Sequence, residues 1–315
     1  MISSTLSKLE SLAGLTVAKR LVMKLISEQS GTHAVLFYGK QGSGKTELAE
    51  ALGNTWLCAN PTPQGACGEC QACRAVERGR NPDLLRIEAT GKSAQITLDT
   101  ISNEKPKDDE PTPLATFFRT TPLYSGHKVG LIIGAERMNS RASSALLKTL
   151  EEPHPHAKVI LTANSVALLP QTIVSRCLAV VCELPHPDEM QAMFPEALPS
   201  DFVLADGAPG RLKTILSNPT AYRRVAELVE SLPSRSRAEA LVCSDTLRSI
   251  GESLGKGDAG VRAGNTEAVD LLALCMARNP KINPQWPQLA IEAHRRILQN
   301  GSPQTVFDAM FLQML

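Results

Sequence analysis

Short apolar runs alternate with stretches of helical periodicity through the first half of the chain. That alternation predicts a parallel sheet covered by helices. The runs Ala34–Tyr38, Leu84–Glu88, Lys128–Ile133, Lys158–Ala163 and Leu178–Cys182 are the expected strands. Their apolar residues are continuous rather than alternating, as in strands buried on both faces. Around Leu184–Pro187 the strand-like runs stop, and only helical spacing follows as far as Leu315. Cys243, Leu247, Ile250 and Leu254 fall on one helix face, as do Phe307, Phe311 and Met314. Breaks containing glycine or proline, Gly255–Gly264 and Asn279–Pro287, are expected to separate these helices. Between the second and third strands, Asn103–Pro113 has three prolines and no apolar period, which predicts a mobile surface loop.

Composition narrows the function classes. A chain of 315 residues is long enough for two or three domains, and 43% hydrophobic content supports a packed core. Only 4% of residues are aromatic, which argues against a base-stacking platform for nucleic acid. Balanced charge, 33 basic against 32 acidic residues, gives no global pull toward DNA or a membrane surface. Met1 to Leu15 is mixed polar, without the apolar core of a signal peptide, and a run such as Cys177–Cys182 is far too short to span a bilayer. These features together predict a cytoplasmic protein with no membrane partner.

The first chemical motif follows the first expected strand. Gly39-Lys40-Gln41-Gly42-Ser43-Gly44-Lys45-Thr46 matches G-x4-G-K-[ST] and precedes a helical pattern at Glu47 to Leu52. Such a P-loop wraps phosphates in backbone N–H groups. Lys45 reaches the terminal phosphates, Thr46 offers a hydroxyl to Mg²⁺, and the helix N-terminus adds positive potential. Gly39, Gly42, Ser43, Gly44, Lys45 and Thr46 are therefore candidate ATP-binding residues. Hydrolysis also needs an acid at the end of a neighbouring buried strand to help hold Mg²⁺, and often a second to activate water. Lys128–Ile133 is the matching strand, and the two acidic positions hold Ile133 and Gly134. Glu136 comes two to three residues later, where the chain is expected to have left the strand; its use through a shifted register is the rival reading. Loss of a positioned base typically costs about 10²–10⁴-fold in rate. The chain is expected to bind ATP without turning it over usefully.

A second motif follows closely. Cys58, Cys67, Cys70 and Cys73 are spaced C-x8-C-x2-C-x2-C. Two-residue gaps let neighbouring thiolates converge on one ion, and four thiolates complete a tetrahedral, structural Zn²⁺ site with no open position for chemistry. Cys177, Cys182, Cys243 and Cys275 stand singly in apolar stretches, as small buried hydrophobes do.

Two later segments are more specific. Ala145-Leu146-Leu147-Lys148-Thr149-Leu150-Glu151-Glu152-Pro153 and Leu168-Leu169-Pro170-Gln171-Thr172-Ile173-Val174-Ser175-Arg176-Cys177 resemble the LLK-x-LEEP and LP-x-TI-x-SRC signatures of bacterial clamp-loader subunits, AAA+ proteins of the DNA polymerase III holoenzyme. The cysteine insert after the P-loop resembles the same family, as does Asn81-Pro82-Asp83, a variant of its usual His-Pro-Asp. The resemblance is dense from about Leu12 to Arg211 and only architectural beyond. Within the family, the degenerate acidic strand and modest length are most like the delta-prime subunit. The tau/gamma motor would carry Asp-Glu at Ile133 and Gly134; some delta-prime relatives lack the intact P-loop kept here.

The resemblance implies a P-loop AAA+ α/β domain at 1–183 with a zinc module at about 58–73, a helical lid at 184–222, and an all-α collar at 223–315 that oligomerises. It implies a subunit of a DNA polymerase III holoenzyme assembly, part of a heteropentamer with tau/gamma and delta subunits. That ring opens a sliding clamp and loads it on primer-template DNA. Arg176 would be an arginine finger reaching the ATP of the adjacent subunit, since a guanidinium fork suits the charge on a transferring phosphoryl group. Asn164 matches the sensor-1 position, though its amide equally suits a turn cap. Arg211, after Asp206-Gly207-Ala208-Pro209-Gly210, matches sensor 2, against an ordinary arginine at a helix start. Glu151-Glu152 end an amphipathic helix beside Pro153, where a structural role is expected. Two alternatives stand beside this reading. One is a tau/gamma-type ATPase motor. The other is a zinc-bearing AAA+ remodelling factor outside replication, which the chain's three tyrosines, two tryptophans and missing acidic pair support little.

Overall fold

The computed structural model describes residues 9, 12, 14–27, 31–89, 95–102, 112–255, 258–299 and 301–315. Most of the expected Asn103–Pro113 loop, residues 103–111, lies outside them. By its internal contacts the chain forms two units, Met1–Glu189 and Met190–Leu315.

The first unit is a five-stranded sheet with neighbours in the order β2-β3-β4-β1-β5. The strands are β1 (Ala34–Tyr38), β2 (Leu84–Glu88), β3 (Lys128–Ile133), β4 (Ala157–Ala163) and β5 (Leu178–Val181), and every pair is parallel. Its helices are α1 (Thr16–Ser27), α2 (Lys45–Leu57), α3 (Gln71–Glu77), α4 (Leu98–Ile101), α5 (Leu114–Arg119), α6 (Ser140–Glu151) and α7 (Gln171–Val174). Two apolar clusters contain strand residues. One holds Leu36, Ile132, Leu161 and Leu146; the other holds Val35, Phe37, Leu48, Leu52 and Ile160. Successive residues of one strand thus feed different clusters, because side chains alternate across a sheet.

The sequence reading treated all five strands as buried on both faces, and here the structure corrects it. β1, β3 and β4 are almost wholly buried, but Leu178 and Ala179 of β5 are exposed, as are Arg86 and Glu88 of β2. These two strands are the sheet's edges, so each lacks a neighbour on one side. β5 also ends at Val181 rather than Cys182, and β4 begins at Ala157 rather than Lys158.

The Asn81-Pro82-Asp83 segment joins the cysteine region to this sheet. Asn81 Nδ2 donates to the Ala72 carbonyl of α3 at 3.1 Å, and its Oδ1 accepts from the Asp83 amide at 2.8 Å. Asp83 is fully buried and accepts from the amides of Leu123 and Tyr124, with Lys128 Nζ 3.6 Å away. Removing water from a carboxylate is costly unless such partners replace it, so these residues have a structural task.

The division between units falls within α8 (Pro187–Met193); α9 (Pro199–Ala205), α10 (Pro209–Ser217), α11 (Pro219–Ser231), α12 (Ala240–Leu254), α13 (Asp258–Arg278), α14 (Trp286–Leu298) and α15 (Pro303–Met314) follow. No strand occurs among its described residues. One continuous cluster runs from Met190 to Met314 and includes Cys243, Leu247, Ile250, Phe307 and Phe311, the faces read from the sequence. Cys182, Cys243 and Cys275 are buried and Cys177 half-buried. The break expected at Gly255–Gly264 is largely absent, because α13 already runs through Gly260 and Gly264. A Cβ on Gly264 would stand 2.1 Å from the Gly251 carbonyl oxygen, and one on Gly251 would stand 2.3 Å from Asn265 Oδ1. Those glycines let α12 and α13 approach backbone to backbone, a packing need that resembles a helix breaker in sequence.

Candidate phosphate, metal and arginine sites

The G-x4-G-K-[ST] segment links β1 to α2, as the motif requires. Gly39 donates to the Ala163 carbonyl of β4 at 3.1 Å, and a side chain there would meet the Cys182 carbonyl oxygen at 2.3 Å. The loop is thus pinned between the ends of β4 and β5, where only glycine fits. Gly44, with φ of 91°, turns the chain into α2. Ser43 is fully buried, and its Oγ has no hydrogen-bond partner among the described residues. Lys45 is also buried, with Nζ 3.3 Å from the Lys40 carbonyl oxygen, while Thr46 is half-buried in the first turn of α2. Burial pushes the Lys45 ammonium below its ordinary pKa, and the charges of Glu136, Cys182 and Glu47 oppose that shift. An orphaned hydroxyl and a buried cation at a helix N-terminus suit a phosphate. Beside the loop, Leu15 approaches the Gly44 Cβ position at 3.1 Å and lines a cavity of about 230 Å³ with Val17, Pro185 and His186. Nothing in the motif itself signalled that cavity.

The neighbouring strand end is as poor in acids as its sequence. Ile133 ends β3, and Gly134, at φ of 68°, starts the short turn Ala135–Arg137, its amide donating to Thr162 Oγ1 at 3.0 Å. Glu136 lies outside the strand, yet its carboxylate is closer to the site than its position in the sequence suggested. Its Oε1 accepts from the Asn164 backbone N–H at 3.3 Å, its Oε2 is buried with no hydrogen-bond partner among the described residues, and its charge acts on Lys45. Asn164 itself is exposed just beyond β4. The signal that could have found Glu136 is Gly134, because a left-handed turn there lets the next residues fold back toward the end of β4.

The four cysteines gather around two helix ends. Cys58 caps the C-terminus of α2, Cys70 caps the N-terminus of α3, Cys73 sits in the first turn of α3, and Cys67 lies in the loop between. Their Sγ atoms all lie within 4.8 Å of one another, and Cys58–Cys70 and Cys67–Cys73 are both 4.0 Å apart. A tetrahedron with metal–sulfur bonds of about 2.3 Å has edges of about 3.8 Å, so the cluster fits a single ion. Backbone amides of Cys67, Cys70 and Cys73 donate to Cys58, Cys67 and Cys70 Sγ at 3.3, 3.4 and 3.5 Å, a bond that favours the thiolate, while burial pushes the Cys58 and Cys73 thiols up. At Cys70 burial raises the pKa, but the amides of Cys73 and Ala59 and the thiols of Cys73 and Cys67 bring it down to about 6.

The two candidate arginines lie in different units. Arg176 is exposed just past α7; its Nη2 is 2.6 Å from Glu151 Oε1, and its Nη1 donates to the Thr172 carbonyl at 3.0 Å. Arg211 sits in the first turn of α10, where its Nη2 meets Glu267 Oε1 at 3.1 Å. No helix among the described residues is long and apolar enough to cross a membrane.

Residues 15–185 match the family described as DNA polymerase III, delta subunit. The chain is 36% identical over 169 residues to the delta-prime subunit of Pseudomonas aeruginosa DNA polymerase III, covering 54% of this chain and 48% of that one. It is 35% identical over 147 residues to the Escherichia coli tau subunit, covering 46% of this chain and 21% of that one. The chain therefore spans about half the length of the first relative and about a fifth of the second. A solved DNA polymerase III gamma-subunit-related protein from Thermotoga maritima superimposes with a TM-score of 0.52 at 17% identity, over 94% of this chain and 98% of that one. At that identity the likeness concerns the fold.

Proposed function

Because this chain belongs to the DNA polymerase III delta-subunit family, we propose that it acts as a delta-prime-type subunit of a clamp loader in the cytoplasm. Its partners are then tau/gamma and delta subunits in a heteropentamer, the sliding clamp and, through the assembly, primer-template DNA. Residues 184–222 act as the lid, with Arg211 as its sensor, and 223–315 as the collar. Zn²⁺ is the metal the four thiolates hold, and its task is to fix the Cys58–Cys73 module. ATP with Mg²⁺ is the ligand of the Gly39–Thr46 loop. Lys45 and Ser43 face its phosphates, Thr46 holds the metal, and Asn164 stands at the sensor position.

One observation carries this reading. The unit has an exposed arginine just past α7 but no carboxylate at Ile133 or Gly134. It is equipped to give charge stabilisation to a neighbour and not to run hydrolysis for itself. Arginine fingers are typically worth about 10³–10⁵ in rate at a single site, less in total for a ring with several sites.

The test is ATP turnover and clamp loading by the assembled complex containing Arg176→Ala. We expect both to fall steeply with assembly intact. Arg119→Ala, which removes an exposed charge at the end of α5 in the same unit, should leave them near the parent. Equal loading by both variants and the parent would overturn the trans-acting role.

A further inference from the structure

The two glutamates that close α6 have no task in the reading above. One of them touches Arg176. Glu151 Oε1 lies 2.6 Å from Arg176 Nη2, and the two side chains are 48% and 36% exposed. The same guanidinium donates through Nη1 to the Thr172 carbonyl at 3.0 Å and stands 3.5 Å from Ser175 Oγ. α6 and α7 are in direct contact, so this pair joins two packed helix ends.

We propose that Glu151 is a positioning residue for Arg176, holding the guanidinium in one outward-facing arrangement before a neighbouring subunit docks. The proposal rests on the reading of Arg176 as acting in trans. An exposed ion pair adds little to stability because solvent screens it, so propping the fold does not account for it. Its value lies in order. A guanidinium is a rigid plane of five N–H donors, and fixing two of its corners sets the direction of the rest. Immobilising a long side chain at an interface otherwise costs about 0.5–1.5 kcal/mol. An arginine already tethered by Glu151 and Thr172 has lost that freedom before docking.

The opposite effect, in which Glu151 competes with phosphate for the arginine, is weaker on the same geometry. The carboxylate is half exposed, so water and salt screen its charge, whereas its hydrogen-bonding constraint remains. Glu152, exposed one residue further on, is not among the groups that bind Arg176 in the described residues and serves as the internal control.

The experiment measures ATP turnover by the assembled complex carrying Glu151→Gln, Glu151→Asp, Glu152→Gln or Arg176→Ala, and the Arg176 Nε–H signal by ¹⁵N NMR in the isolated chain. Glu151→Gln should lower kcat about two- to ten-fold, the rate equivalent of that ordering term, with KM for ATP unchanged. Glu151→Asp should recover part of the loss, and Glu152→Gln should match the parent. The Nε–H signal should broaden by solvent exchange in Glu151→Gln only. If Arg176→Ala lowers turnover while Glu151→Gln matches or exceeds the parent, the positioning role is wrong and the trans-acting role stands. If Arg176→Ala has no effect, both fall together.

Discussion

The cysteine cluster and the phosphate loop belong to the same unit, but they draw on the chain differently. All four thiols come from one short segment, and their sulfurs already lie within 4.8 Å of one another. A structural metal site of this kind is closed once its ligands meet. The phosphate site is assembled from separate places: the loop after β1, the turn after β3, the end of β4 and the backbone after β5. Such a site can keep its cradle and lose its acids, because each part rests on its own strand end. Here Gly39 to Thr46 is intact while Ile133 and Gly134 replace the carboxylates. A local metal site is present or absent as a whole, whereas a distributed catalytic site can survive in part.

The strongest way to break that comparison is to remove one thiolate. Cys73→Ser should reduce bound zinc from about one equivalent to near none and unfold the cysteine module, since apparent binding energies of structural zinc run to about 10–16 kcal/mol. Metal analysis and calorimetry of the purified chain check this. Full zinc content together with parental melting would show that the cluster is not a closed four-thiolate site.

A smaller effect is expected at the phosphate loop. Lys45→Ala should weaken ATP binding about 10- to 100-fold, the equivalent of a charge-assisted bond worth about 1.5–3 kcal/mol. Melting should be little changed, because a cation buried against a single carbonyl gives the fold little. Titration with labelled ATP reads the binding, and a phosphate-release assay should stay at background for parent and variant alike. Release by the parent that Lys45→Ala or Glu136→Gln abolishes would mean the distributed site is whole, with Glu136 as its acid.

The smallest effect comes from the second unit, which carries neither site. Asp201, fully buried, accepts from Arg223 Nε at 2.8 Å and Nη2 at 2.6 Å and from the Leu198 amide at 2.9 Å. The bonds from Arg223 hold its carboxyl below the ordinary aspartate pKa of 3.8, against the opposing effect of burial. A depressed folded pKa means the pair's stabilisation is complete above the unfolded value and is lost as pH falls through the folded one. Melting should therefore be level from pH 7 to about 5 and decline below about pH 4, with a shallower decline in Asp201→Asn. Parallel declines would place the acid sensitivity elsewhere.

Much of this was legible in the sequence. Local patterns announced the five strands, the β1–loop–α2 junction, the cysteine spacing and the helical faces at Cys243–Leu254 and Phe307–Met314, because each depends on residues within a turn or two. The break expected at Gly255–Gly264 fails for the opposite reason. Gly251 and Gly264 answer to one another across a helix pair, and a break and a close crossing look alike along the chain. The contact of Glu136 with the Asn164 backbone is not legible in the sequence, because it depends on the left-handed turn at Gly134 rather than on distance along the chain.

The sequence by itself determined the period of each element, the glycine-rich loop between β1 and α2 and the close spacing of the four cysteines, since spacing over a few residues dictates which side chains share a face or a turn. Only the tertiary structure decided which strands became edges, that Glu136 meets the Asn164 backbone, and that Glu151 meets Arg176. Those outcomes depend on the order in which parallel strands pair and on how α6 packs on α7. Both are settled by burial summed over the whole unit rather than by any segment's own preference.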